Sequence, residues 1–228
     1  MVIFCGLFVL PVFSQNREQG RNNKEGIEKI FFGDFNAPVE FSYQPSSENG
    51  FIRPPSGFRI MKDTSNTSYT IEIKYISNYP EAHREASRKH PAIGLSAGES
   101  SSMSDARRNQ IRDHNRAAFA KQHEEMLNLF KIESKSFTIS NQYAEKMCEK
   151  MASFIDDFKD EGDYSSLIGG YRVVFRNVVD SEVRALNIHI PKDDALKWTT
   201  LCLQIIMDAQ ANQLDETKYI NVLNTFKN

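Results

Sequence analysis

A short segment at 94–98 (Gly-Leu-Ser-Ala-Gly) matches the G-x-S-x-G pattern that presents a nucleophilic serine in many hydrolases. That chemistry requires the serine to lie on a sharp turn between a buried strand and a helix. The four residues at 90–93 are too few for such a strand, and polar residues follow the pattern. We therefore interpret this segment as a flexible Gly-Ser loop. The alternative is a hydrolase that uses Ser96 or His189.

The histidines and acidic residues do not show the spacing of a metal site. The histidines are His83, His90, His114, His123 and His189. None forms an H-E-x-x-H pair, and His114 and His123 would point to opposite sides of a helix. The acidic run at 156–163 lacks the alternate-residue spacing of a calcium loop. We expect no metal and no cofactor.

Five residues are predicted to share the polar face of a sheet. They are Arg59, Lys74, Arg172, Arg176 and His189. Successive side chains of a strand point to opposite faces, so their apolar neighbours would face a core while these five face away from it. Guanidinium and ammonium groups bind phosphate and carboxylate well. The pattern predicts an open face that binds an anionic ligand or a partner, and an ordinary solvated sheet face is the alternative.

The elements that would position these residues are short strands and longer helices. We predict strands at 37–43, 58–61, 69–76, 171–178 and 183–190, the last four as two hairpins. We predict helices at 78–89, 105–134, 140–158 and 194–209, and a final amphipathic helix. These elements indicate an α+β fold, in which an antiparallel sheet of two or more β-hairpins has helices packed on one face. The two hairpins begin with similar sequences. Either a duplication or the shared geometry of hairpins would explain this similarity.

Residues 1–14 have the apolar run and the cleavage site of a signal peptide, although no Lys or Arg precedes the run, and an apolar N-terminal strand of the mature fold is the alternative. The segment is mostly apolar, and Val12 and Ser14 provide the small or aliphatic residues required before a cleavage site at Gln15. A bilayer requires about 20 apolar residues, so the segment is too short to span it. We expect removal of residues 1–14 and no transmembrane segment in the mature chain.

The composition is that of an ordinary folded protein. Of 228 residues, 25% are charged and 40% are hydrophobic, which excludes a disordered chain, a collagen-like fibre, a disulfide-dense miniprotein and a polytopic membrane protein. The net charge of -2 gives no general attraction to nucleic acid, and we expect no nucleic-acid role. After a flexible leader at 15–26, residues 27–228 are predicted to form one domain with a mobile loop at 91–104.

Two cysteines, Cys148 and Cys202, remain after the signal peptide is removed. Both lie on apolar faces of predicted helices. In an oxidising compartment they could form a disulfide that stabilises the fold by about 4 kcal/mol. They could equally be buried free thiols that act as small hydrophobic residues.

Three segments resemble uncharacterised exported proteins of Bacteroidetes. They are the Ser14-Gln15 end of the signal, the block at 57–79 and the block at 170–191. The resemblance implies an envelope or secreted location and carries no known activity or site residues. We therefore expect an exported soluble protein, periplasmic or secreted, that binds or scaffolds an unknown envelope component or protein.

Cleavage of the signal peptide gives the first testable prediction. Expression with the native leader in a diderm bacterium should give a protein whose intact mass begins at Gln15, recovered in the periplasm or medium. Ser14→Arg should abolish cleavage because the peptidase requires a small residue there, whereas Ser14→Ala should retain it. Recovery of the wild-type protein with residues 1–14 still attached would contradict the prediction.

Overall fold

The computed structural model describes residues 26–33, 37–45, 53–63, 67–158, 170–179 and 182–226. The predicted signal peptide, Cys5 and the predicted leader up to residue 25 lie outside these ranges. The structure thus reports on the predicted domain but not on the export signal.

The described strands form one antiparallel sheet in the order β4-β3-β2-β1-β5-β6. Their bounds are β1 Val39–Pro45, β2 Ser56–Lys62, β3 Tyr69–Ile76, β4 Ile132–Ile139, β5 Tyr171–Val179 and β6 Glu182–His189. The hairpins β2–β3 and β5–β6 are the two that the sequence predicts, and β1 joins them at the centre of the sheet.

Seven helices accompany the sheet within the described residues. They are α1 Ile27–Phe32, α2 Tyr79–Lys89, α3 Ala97–Ser102, α4 Asp105–Leu129, α5 Asn141–Asp157, α6 Asp193–Gln210 and α7 Glu216–Leu223. Ser140 caps α5 by accepting a hydrogen bond from the Tyr143 backbone N–H, as predicted. The predicted α+β class is confirmed.

The main core lies between one face of the sheet and the helices α5, α6 and α7. Strand residues such as Phe41 and Phe175 are fully buried there with the helix residues Met147 and Trp198. The ring of Phe154 stacks on Trp198 at 5.4 Å and meets Phe175 edge-on at 5.1 Å. Each such buried side chain contributes about 2–3 kcal/mol of hydrophobic stabilisation.

The opposite, polar face of the sheet is covered in part by the short helix α1. The Phe32 ring of α1 lies directly over Gly57 of β2, where a Cβ atom would come within 3.1 Å of the ring and 2.6 Å of the Phe41 carbonyl oxygen. The lack of a side chain at Gly57 therefore lets a helix approach this face.

The predicted helix at 105–134 is too long, because α4 ends at Leu129 and β4 follows. The Asn78 side chain stabilises the transition from helix to strand, because it donates to the Leu129 carbonyl oxygen and accepts from the Lys131 backbone N–H. β4 then pairs along its length with β3. The sequence did not predict β4, because its side chains are mostly polar and the strand is stabilised by backbone hydrogen bonds to β3.

The segment at 91–104, predicted as a mobile loop, contains α3. Ser96 is the N-cap of this helix and forms a capping box with Glu99. The Asn115 side chain bonds both the N–H and the carbonyl oxygen of Ile93, which holds the chain before α3 against α4. Regular structure is therefore present here, and mobility of the segment stays a prediction.

Cys148 and Cys202 are free thiols in the structure, Cys202 buried and Cys148 partly buried, and the disulfide stays a prediction. Burial raises the pKa of the Cys148 thiol to about 11 and raises that of Cys202 well above its ordinary value. Thiolate, the reactive form, is therefore scarce at both positions near neutral pH.

The contact at Gly57 predicts the effect of adding one methyl group. Gly57→Ala should lower the free energy of unfolding by about 2 kcal/mol, because the Cβ atom overpacks against backbone and against Phe32. Gly94→Ala is the matched control, since no atom lies within 4 Å of its Cβ position. Equal midpoints for the two variants in urea unfolding would contradict this packing.

The thiols give a third prediction. In the native protein at pH 8, iodoacetamide should alkylate Cys148 at least about tenfold more slowly than in guanidinium, and Cys202 more slowly still. Peptide mapping by mass spectrometry assigns each rate. A linked Cys148–Cys202 peptide in a non-reduced digest would show that the disulfide exists.

Candidate functional site

The structure places all five residues of the predicted basic face on the polar face of the sheet. Arg176 of β5 pairs across the strands with Glu40 of β1, which pairs with Arg59 of β2, which pairs with Glu72 of β3. Lys74 lies two residues beyond Glu72, and Arg172 pairs with His189. The shared face is present, but carboxylates alternate with the cations along it.

Arg176 and Arg59 are each held by a carboxylate. Arg176 Nε donates to Glu40 Oε1 at 2.7 Å, and Glu40 is only 1% exposed. Burial raises the pKa of Glu40, and the adjacent Arg176 opposes that rise. Arg59 Nε donates to Glu72 Oε2 at 2.6 Å. These two arginines therefore compensate partly or fully buried negative charge.

Lys74 and Arg59 also hold α1 on the sheet. Lys74 Nζ donates to the carbonyl oxygen of Phe31 at 2.6 Å, which satisfies a carbonyl at the end of α1. The Phe32 ring lies 5.5 Å from Lys74 Nζ and 5.4 Å from the Arg59 guanidinium. Cations at this distance from a ring are attracted to its face.

The polar face is therefore close to neutral. Its four cationic side chains, Arg59, Lys74, Arg172 and Arg176, stand against three carboxylates, those of Glu28, Glu40 and Glu72, which leaves one positive charge apart from His189. The sequence indicates that Glu40 lies on the polar face, because Glu40 alternates with the apolar Val39, Phe41 and Tyr43. No sequence pattern places Glu28 on this face, because Glu28 reaches it only through α1.

A cleft of about 520 Å³ opens at one end of this face, between α1, α2, α4 and the ends of β1, β5 and β6. Of the five predicted residues, Arg172 and His189 line it, whereas Arg59, Lys74 and Arg176 do not. The other polar side chains that line it are Gln44, His83, Gln122 and His123.

One wall of the cleft is an apolar stripe on the second half of α4. The stripe consists of Phe119, Met126 and Leu127 of α4 with Phe130 directly after the helix, at helical spacing, and the polar Gln122 and His123 lie among them. Phe119 is 46% exposed and Leu127 is 36% exposed, so apolar surface faces the open cleft. This spacing is visible in the sequence, but it does not involve the basic residues from which the site was predicted.

The rest of the stripe anchors the wall to the sheet. Met126 is buried with Ile76, Tyr79 and Ala86 in a second, smaller core. The rings of Tyr79 and Phe130 are 5.9 Å apart, and burial raises the pKa of Tyr79. A packed base of this kind keeps the exposed half of the wall in place.

Arg172 is held in position beside the cleft by two side chains. Its Nε donates to Asn187 Oδ1 at 2.8 Å, and its Nη2 donates to Glu28 Oε1 at 3.1 Å. Its side chain is one-third exposed. Asn187 of β6 and Glu28 of α1 therefore fix the orientation of the guanidinium beside the cleft.

Ser96 is used as a helix cap. Its Oγ donates to Glu99 Oε2 at 2.6 Å and accepts from the Glu99 backbone N–H, and it bonds no histidine within the described ranges. The same part of the chain holds no group of three or more His, Cys, Asp or Glu side chains arranged for a metal ion. None of the described helices has the length and apolar character needed to cross a membrane.

Comparisons with protein-family models, with curated proteins and with solved structures find no match to this chain.

Proposed function

We propose that this protein is an exported binding domain of the cell envelope, and that its cleft takes an anionic amphiphile, an apolar chain that ends in a carboxylate or a similar group. The observation that carries this proposal is the pairing of an exposed apolar wall with a positioned arginine in one cleft. No covalent chemistry is required of such a site.

The size of the cleft suits a small amphiphile. Ligand pockets have volumes of about 300–1,000 Å³ and are mostly apolar, with a few polar groups that orient the ligand. A volume of about 520 Å³ lies within that range. Each methylene group of a ligand that leaves water for the wall at Phe119 and Leu127 contributes about 0.8 kcal/mol.

The polar end of the cleft favours an anion over a neutral group. Arg172 supplies N–H donors, and the side chain of His189 lines the same space. Hydrogen bonds between a guanidinium and a carboxylate are roughly twice as strong as those between neutral groups. We infer that Arg172 binds the anionic group while the α4 stripe binds the chain.

Export is supported by the apolar segment at 1–14, by the residues around Ser14, and by the resemblance to exported Bacteroidetes proteins. The hydrolase alternative has less support, because the Ser96 hydroxyl is engaged by Glu99 and not by a histidine.

Binding of decanoate tests the proposal. In isothermal titration calorimetry, Arg172→Met should weaken decanoate binding by about tenfold or more, because the anion loses its charged donor. The same variant should bind the uncharged decanol as the wild type does. Leu127→Asp should weaken binding of both compounds, because it makes the apolar wall polar.

Arg84→Met is the matched control for this test. Arg84 pairs with Glu81 on the exposed side of α2 and does not line the cleft, so its loss should leave both affinities unchanged. Failure of the wild-type protein to bind decanoate, or an equal loss in the Arg84 and Arg172 variants, would contradict the proposed function.

A further inference from the structure

An internal carboxylate already contacts the arginine of the cleft. Glu28 is the second residue of α1, and its Oε1 accepts from Arg172 Nη2 at 3.1 Å. The Glu28 side chain is 13% exposed. Its other oxygen, Oε2, is buried and has no hydrogen-bond partner. A buried carboxylate oxygen without a donor is costly, so this contact is an incomplete ion pair.

The Glu28 carboxylate lies at the margin of the cleft. It folds back over Gly26, occupying the space that a side chain at position 26 would fill. Gly26 and Arg172 both line the cleft. The carboxylate therefore stands beside the place where a ligand anion would meet Arg172.

A second carboxylate adds to the cost of this arrangement. Glu28 lies close enough to the buried Glu40 for their charges to repel, which contributes to the raised pKa of Glu40. Arg176 and Arg59 offset the charge of Glu40, but Arg172 is the ion-pair partner that Glu28 has. Movement of Glu28 away from the sheet would remove this repulsion.

We propose that Glu28 is an internal competitor for the anion subsite: it occupies Arg172 in the empty protein, and the anionic group of the ligand displaces it. This inference rests on the proposed function of the cleft. The displaced carboxylate would gain solvent, and Arg172 would exchange one carboxylate contact for another. With competition of this kind, the apparent affinity equals the intrinsic affinity multiplied by the fraction of protein in which Arg172 is free.

The test measures decanoate affinity in four proteins: wild type, Glu28→Gln, Arg172→Met and the double variant. Glu28→Gln should raise the affinity of the wild type about tenfold, because the competing charge is removed. The same change in the Arg172→Met background should have no effect, because there is then no arginine to compete for. Glu28→Asp keeps the charge but shortens the reach, so it should also raise the affinity.

Glu149→Gln is the control for a change of net charge. Glu149 pairs with Lys146 on α5, on the other side of the sheet, and its removal should not alter binding. Thermal unfolding by circular dichroism verifies that each variant is folded.

The outcomes separate the two proposals. Equal decanoate affinity in wild type and Glu28→Gln would overturn the internal competitor and leave the cleft function in place. An equal gain with and without Arg172 would also overturn it, because the effect would then be one of general charge. Absence of decanoate binding in both wild type and Glu28→Gln would overturn both proposals.

Discussion

The contact between Phe32 and Gly57 is the constraint on which the rest of this structure depends. A glycine in a central strand leaves the sheet open to a ring from another element, and α1 occupies that opening. The helix then forms one wall of the cleft, covers Arg59 and Lys74, and carries Glu28 to Arg172. Without this close approach, the polar face would be open, but Glu40 and Glu72 would still pair with Arg176 and Arg59.

Charge on that face is arranged to compensate burial. Glu40 is almost fully buried in the centre of the sheet, and a carboxylate in such a place is tolerated only beside a cation. Arg176 meets that need, and Arg59 and Glu72 extend the alternation of charge across four strands. Arginines that compensate buried charge have little left for a ligand. The candidate site is therefore confined to Arg172 and His189, at the end of the sheet where the alternation stops.

The spacing of apolar residues predicted most of the fold, because it shows directly which face of each strand or helix is buried. The alternation of Ile71 and Ile73 with Glu72 gave β3 and its faces, and the helical spacing of Met147 and Met151 gave α5. β4 was missed because an edge strand with polar side chains is specified by its neighbour and not by its own sequence. The positions of Arg172 and His189 on one face were predictable from period-two alternation. Their ion-pair partner was not, since Glu28 is distant in sequence and lies on a helix too short to show periodicity.

The most direct measurement is a crystal structure of the wild-type protein with decanoate bound. The account predicts the decanoate carboxylate within hydrogen-bond distance of Arg172, its chain along Phe119 and Leu127, and the Glu28 carboxylate turned away from the sheet. Decanoate bound elsewhere, or bound in the cleft while Glu28 still contacts Arg172, would contradict it.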